Sequence, residues 1–430
     1  MTGFLKLLRQ NRNYRVTWAG QIVSEIGDHF NTIAVFGLVY QTTHSGFAVS
    51  GVMLARAIPM LLAGPLAGVV LDRFDRKKIM IASDLVRAFF ALLFILAADG
   101  RHTSVIYGLS ALLMFASPFF SSGRASILPA IASKDELHTA NSLTQTTQWT
   151  TTAVGSFLGG VSAARLGFEW AFFFNAVSFL FSAWCISQLR VPTGGFRAKR
   201  SMLSEDQVMR PWREYGEGLA YMRSIPLVFA IALVHIGWAT GGGAAQILFT
   251  LFSEQVHHRG AEGIGFLWSA AGFGLVAGGA VGHYIGPRLS FKNYKRTIAA
   301  CYIFHGLTYV IFSMMTNFAW ALVFIAISRV AVAISSVLNF SRLLRIIEDQ
   351  YRGRVFSTLE TVTWSMMMLS MFGAGLASDV YSTRTIGIVS GVLSSTTAIF
   401  WIWANWAGKL PQPNLEPGDD DIEVHGDPNV

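Results

Sequence analysis

The chain has 430 residues, of which 52% are hydrophobic and only 13% charged, with a net charge of +8. Soluble domains carry roughly 25% charge, so this composition excludes a water-soluble globular protein and makes lipid the solvent. The two cysteines, Cys185 and Cys301, stand singly in apolar segments, which excludes a disulfide or metal framework and leaves both as small packing residues.

A membrane-spanning helix needs about 20 mostly apolar residues. Twelve such runs follow in order, at 16–40, 46–71, 79–98, 104–122, 141–164, 170–188, 227–252, 264–285, 297–315, 319–338, 357–378 and 385–406. The first is too long for a cleavable signal and lacks a small-residue cleavage site, so it is expected to remain as a span. Of the 33 Lys and Arg residues, 26 fall in the N-terminal segment, the tail and the loops on their side. The loops of the other side hold only Arg101, Arg165, Arg259 and Arg384, and Arg56, Arg87 and Arg329 lie within spans. Cytoplasmic loops carry the excess of base, so both termini are expected in the cytoplasm, with the chain in the cytoplasmic (inner) membrane. The basic balance then needs no nucleic acid.

The expected division is a six-helix bundle over 1–188, a cytoplasmic linker over 189–226, a second bundle over 227–408 and a disordered acidic tail over 409–430. Within the linker, Trp212, Tyr215, Leu219 and Met222 share one helical stripe, which predicts an interfacial amphipathic helix acting as a brace. The halves read as copies. A shift of 214 lays Gly64 and Gly68 on Gly278 and Gly282, and a shift of 215 lays Trp149 on Trp364 and Gly160 on Gly375. Internal repeats of this kind mark secondary transporters, with the substrate site between them near mid-bilayer.

Between spans 2 and 3 the chain reads "GVVLDRFDRKK", following Gly64. Gly64, Gly68, Asp72, Arg73, Arg76 and Lys77 resemble the signature loop of the major facilitator superfamily. "NRNYRVTWAGQIVSEIGD", "ARAIPMLLAGPLAG", "SDLVRA", "LPAIASKDELHTANSL" and "YRGRVFS" are similar to the branch that holds enterobactin exporters, macrolide efflux proteins and related drug-efflux carriers. The resemblance implies an all-α membrane fold of two pseudo-symmetric six-helix bundles that works by alternating access. Physically the turn reads as a gate. The spaced glycines let span 2 approach another helix closely, and Asp72 is placed to meet the N-terminus of span 11 near Arg354. Its bases are available to the other half or to anionic lipid heads. Asp84 and Arg87, one turn apart in span 3, form a structural pair beside this gate, and Glu360 joins the same network. The second copy has Gly286 where the first has Asp72, so the latch depends on the first.

An ionisable group inside a span is costly and a functional candidate. Glu25 and Asp28 share one face of span 1, and Arg56 lies at a similar depth in span 2. The expected arrangement is an Asp28–Arg56 ion pair with Glu25 as the acid that gains and loses a proton. Gln21, one turn before Glu25, Arg329 in the middle of span 10 and His235 in span 7 are candidate substrate contacts; His283 and His305 read as packing residues. "GWATGGGAAQ" at 237–246 predicts a bend, not a phosphate loop, since neither a preceding strand nor a Lys-Ser/Thr ending is present. "GSFLGG" at 155–160 resembles the superfamily's antiporter motif but has Ser156 where proline is usual, and Arg124 stands at the end of span 4.

No His-Glu metal pattern or Ser-His arrangement occurs in the spans, so neither an enzyme nor a bound metal or cofactor is expected. The reading is a proton-coupled exporter, working as a monomer, of an amphipathic small molecule such as a siderophore, macrolide or other drug. A lysophospholipid or other lipid carrier between leaflets is the alternative, and a non-transporting membrane sensor is a weaker one. Topology is directly testable. Cysteines at His44, Arg101 and Arg259 are expected to react with an impermeant thiol reagent on intact cells, and those at Arg76, Ser201 and Lys292 only after permeabilisation. The reverse pattern overturns the orientation.

Overall fold

Lipid offers no partner to a bare backbone N–H or C=O, so a spanning segment must satisfy its own as a helix. The computed structural model describes residues 2–99, 103–190 and 211–412, and has no strand among them. A short α1 (Thr2–Gln10) precedes α2 (Arg12–Thr43), α3 (Gly46–Arg73), α4 (Arg76–Leu96), α5 (Thr103–Ile131), α6 (Lys134–Leu166) and α7 (Phe168–Ser187). Then come α8 (Pro211–Ser224), α9 (Pro226–Gly242), α10 (Ala245–Leu251) with a π turn (Phe252–Val256), and α11 (Gly260–Ile285). The last four are α12 (Phe291–Met314), α13 (Phe318–Ile346), α14 (Asp349–Ala377) and α15 (Thr383–Trp406). Side chains close several helix starts. Ser45, Asp75, Ser290, Asn317 and Ser382 each accept a first-turn N–H of the helix they precede.

Nine of these segments are long and apolar enough to cross a membrane; the other long helices are α2, α6 and α14. Their polar residues are turned to protein or cavity: Gln21 and Thr151 are buried, and Glu360 lines a cavity. Several sequence-derived spans are too short. The stretches 123–131 and 134–140 continue α5 and begin α6, and 339–346 and 349–356 do the same for α13 and α14. Hydropathy marks only the lipid-facing length, whereas hydrogen bonding carries the helix past it. The expected bend is present: α9 ends at Gly242 and α10 starts at Ala245. A Cβ on Gly241 would stand 2.0 Å from the Ser390 carbonyl oxygen, and one on Gly243 2.2 Å from that of Met367. Glycine is required there for backbone to meet backbone.

Helices α2–α7 pack on one another, as do α9–α15. The two sets meet mainly along α6 against α11, and at one end of α3 against α14. The first seam is built on small residues. A Cβ on Gly160 would lie 2.7 Å from Gly265 Cα, one on Gly272 2.7 Å from Ala153 backbone, and one on Gly279 2.4 Å from the Trp149 ring. Where α3 meets α14, Gly46 lies against Ser378, Gly375 against Ser50, and Phe47 against Phe372 with centroids 6.0 Å apart. That contact is at the face opposite the chain ends. Toward the basic face the glycine side of α3 is open: no described residue lies within 4 Å of a Cβ on Gly64 or Gly68. The close helix approach expected at these glycines is therefore not made in this conformation, because α3 leans from α14 at this end.

The α8 stripe docks on protein instead of the membrane interface. Met222 is 3% exposed in the core with Leu227 and Val355, and Tyr221 stacks on Tyr351 at 4.2 Å. The side chains of Trp212 and Tyr215, and the tail beyond residue 412, lie outside the described residues. Gly272→Val forces α6 and α11 apart, so its thermal midpoint in detergent should fall by the equivalent of about 1–3 kcal/mol. Gly64→Val should leave the midpoint unchanged. Equal midpoints for the two variants would show that the seam does not hold the halves.

Candidate functional site

Two cavities lie between the helix sets. One, of about 260 Å³, is lined by His29, Thr32, Phe36, Arg56, Gln246 and Trp268 among others. The second, of about 770 Å³, runs from mid-helix residues His235 and Trp364 to Leu344 and Arg352 near the basic face. Trp149 and Trp364, the residues related by the internal shift, both line it, one from α6 and one from α14. Because α3 and α14 close the opposite face, this structure gives access from the basic face.

A charged network fills the first half beside these cavities. Glu25 accepts hydrogen bonds from Gln21 Nε2 (2.8 Å) and Thr151 Oγ1 (2.7 Å) and faces Arg124 at 3.7 Å. Gln21 and Arg124 also line a small pocket of about 90 Å³ with Thr17 and Trp18. Asp84 and Arg87 pair in the interior, 0% and 3% exposed, and the Arg87 guanidinium lies over Phe120 (4.8 Å) and Phe179 (4.3 Å). The aromatic faces add cation–π contacts to the guanidinium that Asp84 neutralises. Arg56 donates to Asn31 Oδ1 (3.1 Å) and Thr32 Oγ1 (2.9 Å) and lies 5.9 Å from the Phe36 ring centre.

The expected Asp28–Arg56 contact is not formed. The long Arg56 side chain reaches one turn further along α2, and a carboxylate on Asp28 is too short to follow. Asp28 Oδ1 is buried with no hydrogen-bond partner, within electrostatic reach of Arg87 and Arg56. The paired acid is Glu25 and the unpartnered one is Asp28, the reverse of the sequence assignment. Arg124 was placed at a span end; in the structure α5 continues through Ile127 to Ile131, which leaves Arg124 inside the helix and turned to Glu25. The apolar residues after Arg124 were the available signal. His29, whose Nδ1 lies 3.3 Å from Ser156 Oγ, and Thr151 carried no pattern that marked them.

The gate residues are dispersed. Arg76 donates to the Ser126 carbonyl (2.8 Å), and Lys77 to those of Ser187 (2.8 Å) and Leu189 (3.0 Å) at the end of α7. Both thus hold carbonyls of their own half, Lys77 at a helix end that favours cations. Arg73 is exposed, and the Asp72 side chain lies outside the described residues. Arg354 pairs with Glu217 of α8 at 2.9 Å. Glu360 is on the large cavity wall together with His235, whose Nδ1 is bonded to the Ile231 carbonyl at 2.8 Å. Arg329 is 9% exposed and lies over the rings of Phe249 (5.7 Å) and Tyr309 (6.0 Å).

Two sets of spanning helices that enclose cavities between them have the architecture of a membrane transporter. Residues 17–370 match the Major Facilitator Superfamily, and the chain belongs to that family. It is 24% identical to "Putative bacilysin exporter BacE" of Bacillus subtilis (strain 168), over 92% of this chain and 96% of that one. It is 25% identical to "Macrolide efflux protein A" of Streptococcus pyogenes, over 90% and 93%. Among solved structures, a bacterial homologue of the iron transporter ferroportin in an inward-facing state has a TM-score of 0.67 at 17% identity, covering 91% of this chain and 98% of that one. Its likeness is one of fold.

Asp84→Asn leaves Arg87 as a buried charge without its counter-ion, a change that costs about 3–5 kcal/mol. Membrane-inserted yield and thermal midpoint should fall together, and the double change Asp84→Asn with Arg87→Gln should restore both. A stable single variant would place the pair outside the folding core.

Proposed function

We propose that this transporter exports an amphipathic small molecule, of the siderophore, macrolide or drug type, from the cytoplasm by alternating access coupled to proton entry. The observation that carries the reading is the large cavity that reaches toward the basic face, with α3 and α14 in contact on the other. The excess of base on that face supports taking it as cytoplasmic. Relatives named as exporters of bacilysin and macrolides support outward movement of organic compounds. Trp149, Trp364 and His235 offer the substrate aromatic and polar contacts, with Gln21 and Arg329 deeper in each half. Asp28 is the proton site: a buried carboxylate oxygen with no donor is stable only while the acid is neutral or a cation approaches. Arg87 and Arg56 supply such cations from two other helices, and Glu25 stays with Arg124. The gate residues Gly64, Gly68, Asp72, Arg73, Arg76 and Lys77 assemble when α3 swings onto α14 and closes the cytoplasmic side.

One observation favours a second reading, transport of a lysophospholipid between leaflets. The gap beside Gly64 and Gly68 is flanked by the exposed Leu61, Leu62 and Leu66, which makes a side opening toward lipid. The two are separated in everted vesicles energised with an acidic interior, using labelled catecholate siderophore, erythromycin and lysophosphatidylethanolamine. Asp28→Asn should lose gradient-driven uptake at least about tenfold, the rate equivalent of about 1.4 kcal/mol, while exchange at equal pH survives. Glu25→Gln should impair both, since it strands Arg124. Uptake by Asp28→Asn at the wild-type rate would remove proton coupling through this residue and leave the lipid reading.

A further inference from the structure

The first half balances Arg87 with Asp84 and Arg124 with Glu25. The second half does not treat Arg329 in this way. It comes from α13 and is 9% exposed, and it makes no ion pair or hydrogen bond among the described residues. What surrounds it is aromatic: Phe249 of α10 and Tyr309 of α12. Tyr309 is 3% exposed and its hydroxyl, too, is buried with no partner. Phe249 in turn meets the ring of Trp268 edge-on at 5.1 Å, and the buried Trp268 Nε1 has no acceptor. Trp268 lines the 260 Å³ cavity. Neighbouring His305 is turned to Ser328, its Nδ1 2.7 Å from the Oγ, and brings no negative charge.

Arg329 of α13 and Trp268 of α11 therefore stand beside Phe249, with Tyr309 of α12 against the same guanidinium, and no carboxylate pairs with it among the described residues. Buried polar groups are ordinarily satisfied, and an uncompensated guanidinium is the most unfavourable of them. Phe249 and Tyr309 lower that penalty through their ring faces without cancelling the charge. We propose that Arg329 and Tyr309 form an anion site beside the central cavity, which takes a carboxylate of the transported molecule. The planar fork of the guanidinium matches two carboxylate oxygens, and the Tyr309 hydroxyl donates to the same group. The aromatic floor formed by Phe249 and Trp268 fits the apolar portion that follows. The substrate class is thus an amphipathic carboxylate. This deepens the export reading and rests on it for direction only, because anion binding needs neither a gradient nor turnover.

The test uses the full chain purified in detergent, with 4-phenylbutyrate as probe and 4-phenylbutan-1-ol as its neutral isostere. Thermal midpoints are followed against probe concentration, in chloride and in gluconate buffers. For the wild type, the carboxylate should stabilise more than the alcohol. Arg329→Gln should weaken that binding at least about tenfold, as expected for a lost charge-assisted hydrogen bond. Arg329→Lys should keep part of it, and Tyr309→Phe should weaken it several-fold with the fold intact. Stabilisation by chloride over gluconate that vanishes in Arg329→Gln, with no preference for the carboxylate, supports the site with a free inorganic anion as occupant. Equal response of wild type, Arg329→Gln and Tyr309→Phe to every anion overturns it. Failure of proton-driven export with anion binding intact would instead count against the transport reading alone.

Discussion

In lipid, one apolar helix has no hydrophobic reason to prefer another, so association rests on close packing and hydrogen bonds. That constraint makes the α6–α11 seam the element on which the rest of this structure depends. Gly160 against Gly265, Gly272 against Ala153 and Gly279 against Trp149 bring two backbones together over much of the membrane depth. The second contact between the halves, α3 with α14, exists only at the face away from the chain ends. One seam is long and the other is partial, and the difference between them is the cavity.

Charge is distributed with the same asymmetry. The first half carries acids and bases in its interior, held by Thr151, Gln21, Asn31 and Thr32 and by the rings of Phe120 and Phe179. The second half carries Arg329 among aromatic rings, and His235 and Glu360 on the cavity wall. A first half that pairs Arg87 and Arg124 with acids and a second half that leaves Arg329 without one among the described residues would face any molecule bound between them. The repeat that gave both halves one fold has left them with different chemistry. Trp149 and Trp364 are an exception, since they present the same ring from opposite walls.

Much of the architecture was legible from residue order. The apolar runs, the motif at Gly64–Lys77 and the constant shift between halves led to the family, and the Gly-rich stretch marked the break after Gly242. What could not be read was azimuth. Span boundaries give the depth of a side chain, but each residue turns 100° about the helix axis, and tilt moves its tip several ångströms. Depth alone paired Asp28 with Arg56. In space Arg56 meets Asn31 and Thr32, and Glu25 meets an arginine whose helix continued beyond its hydropathic end. Gly64 and Gly68 meet no described residue of another helix for another reason: a motif describes what a chain can assemble, whereas a single conformation shows one of its arrangements.

The low apolarity of α6 has a consequence for synthesis. Its Gly and Thr face is buried only when α11 is present, and roughly 100 residues separate the two in the chain. At 5–20 residues per second, α6 waits roughly 5–20 s for its partner. During that interval a helix that is not among the nine most apolar must be retained in the bilayer by α2 and α7, the neighbours already made. The grip of Thr151 on Glu25 and of Trp18 on Thr147 ties α6 to α2 before the second half exists. The first half is thereby a chaperone for its own exposed seam.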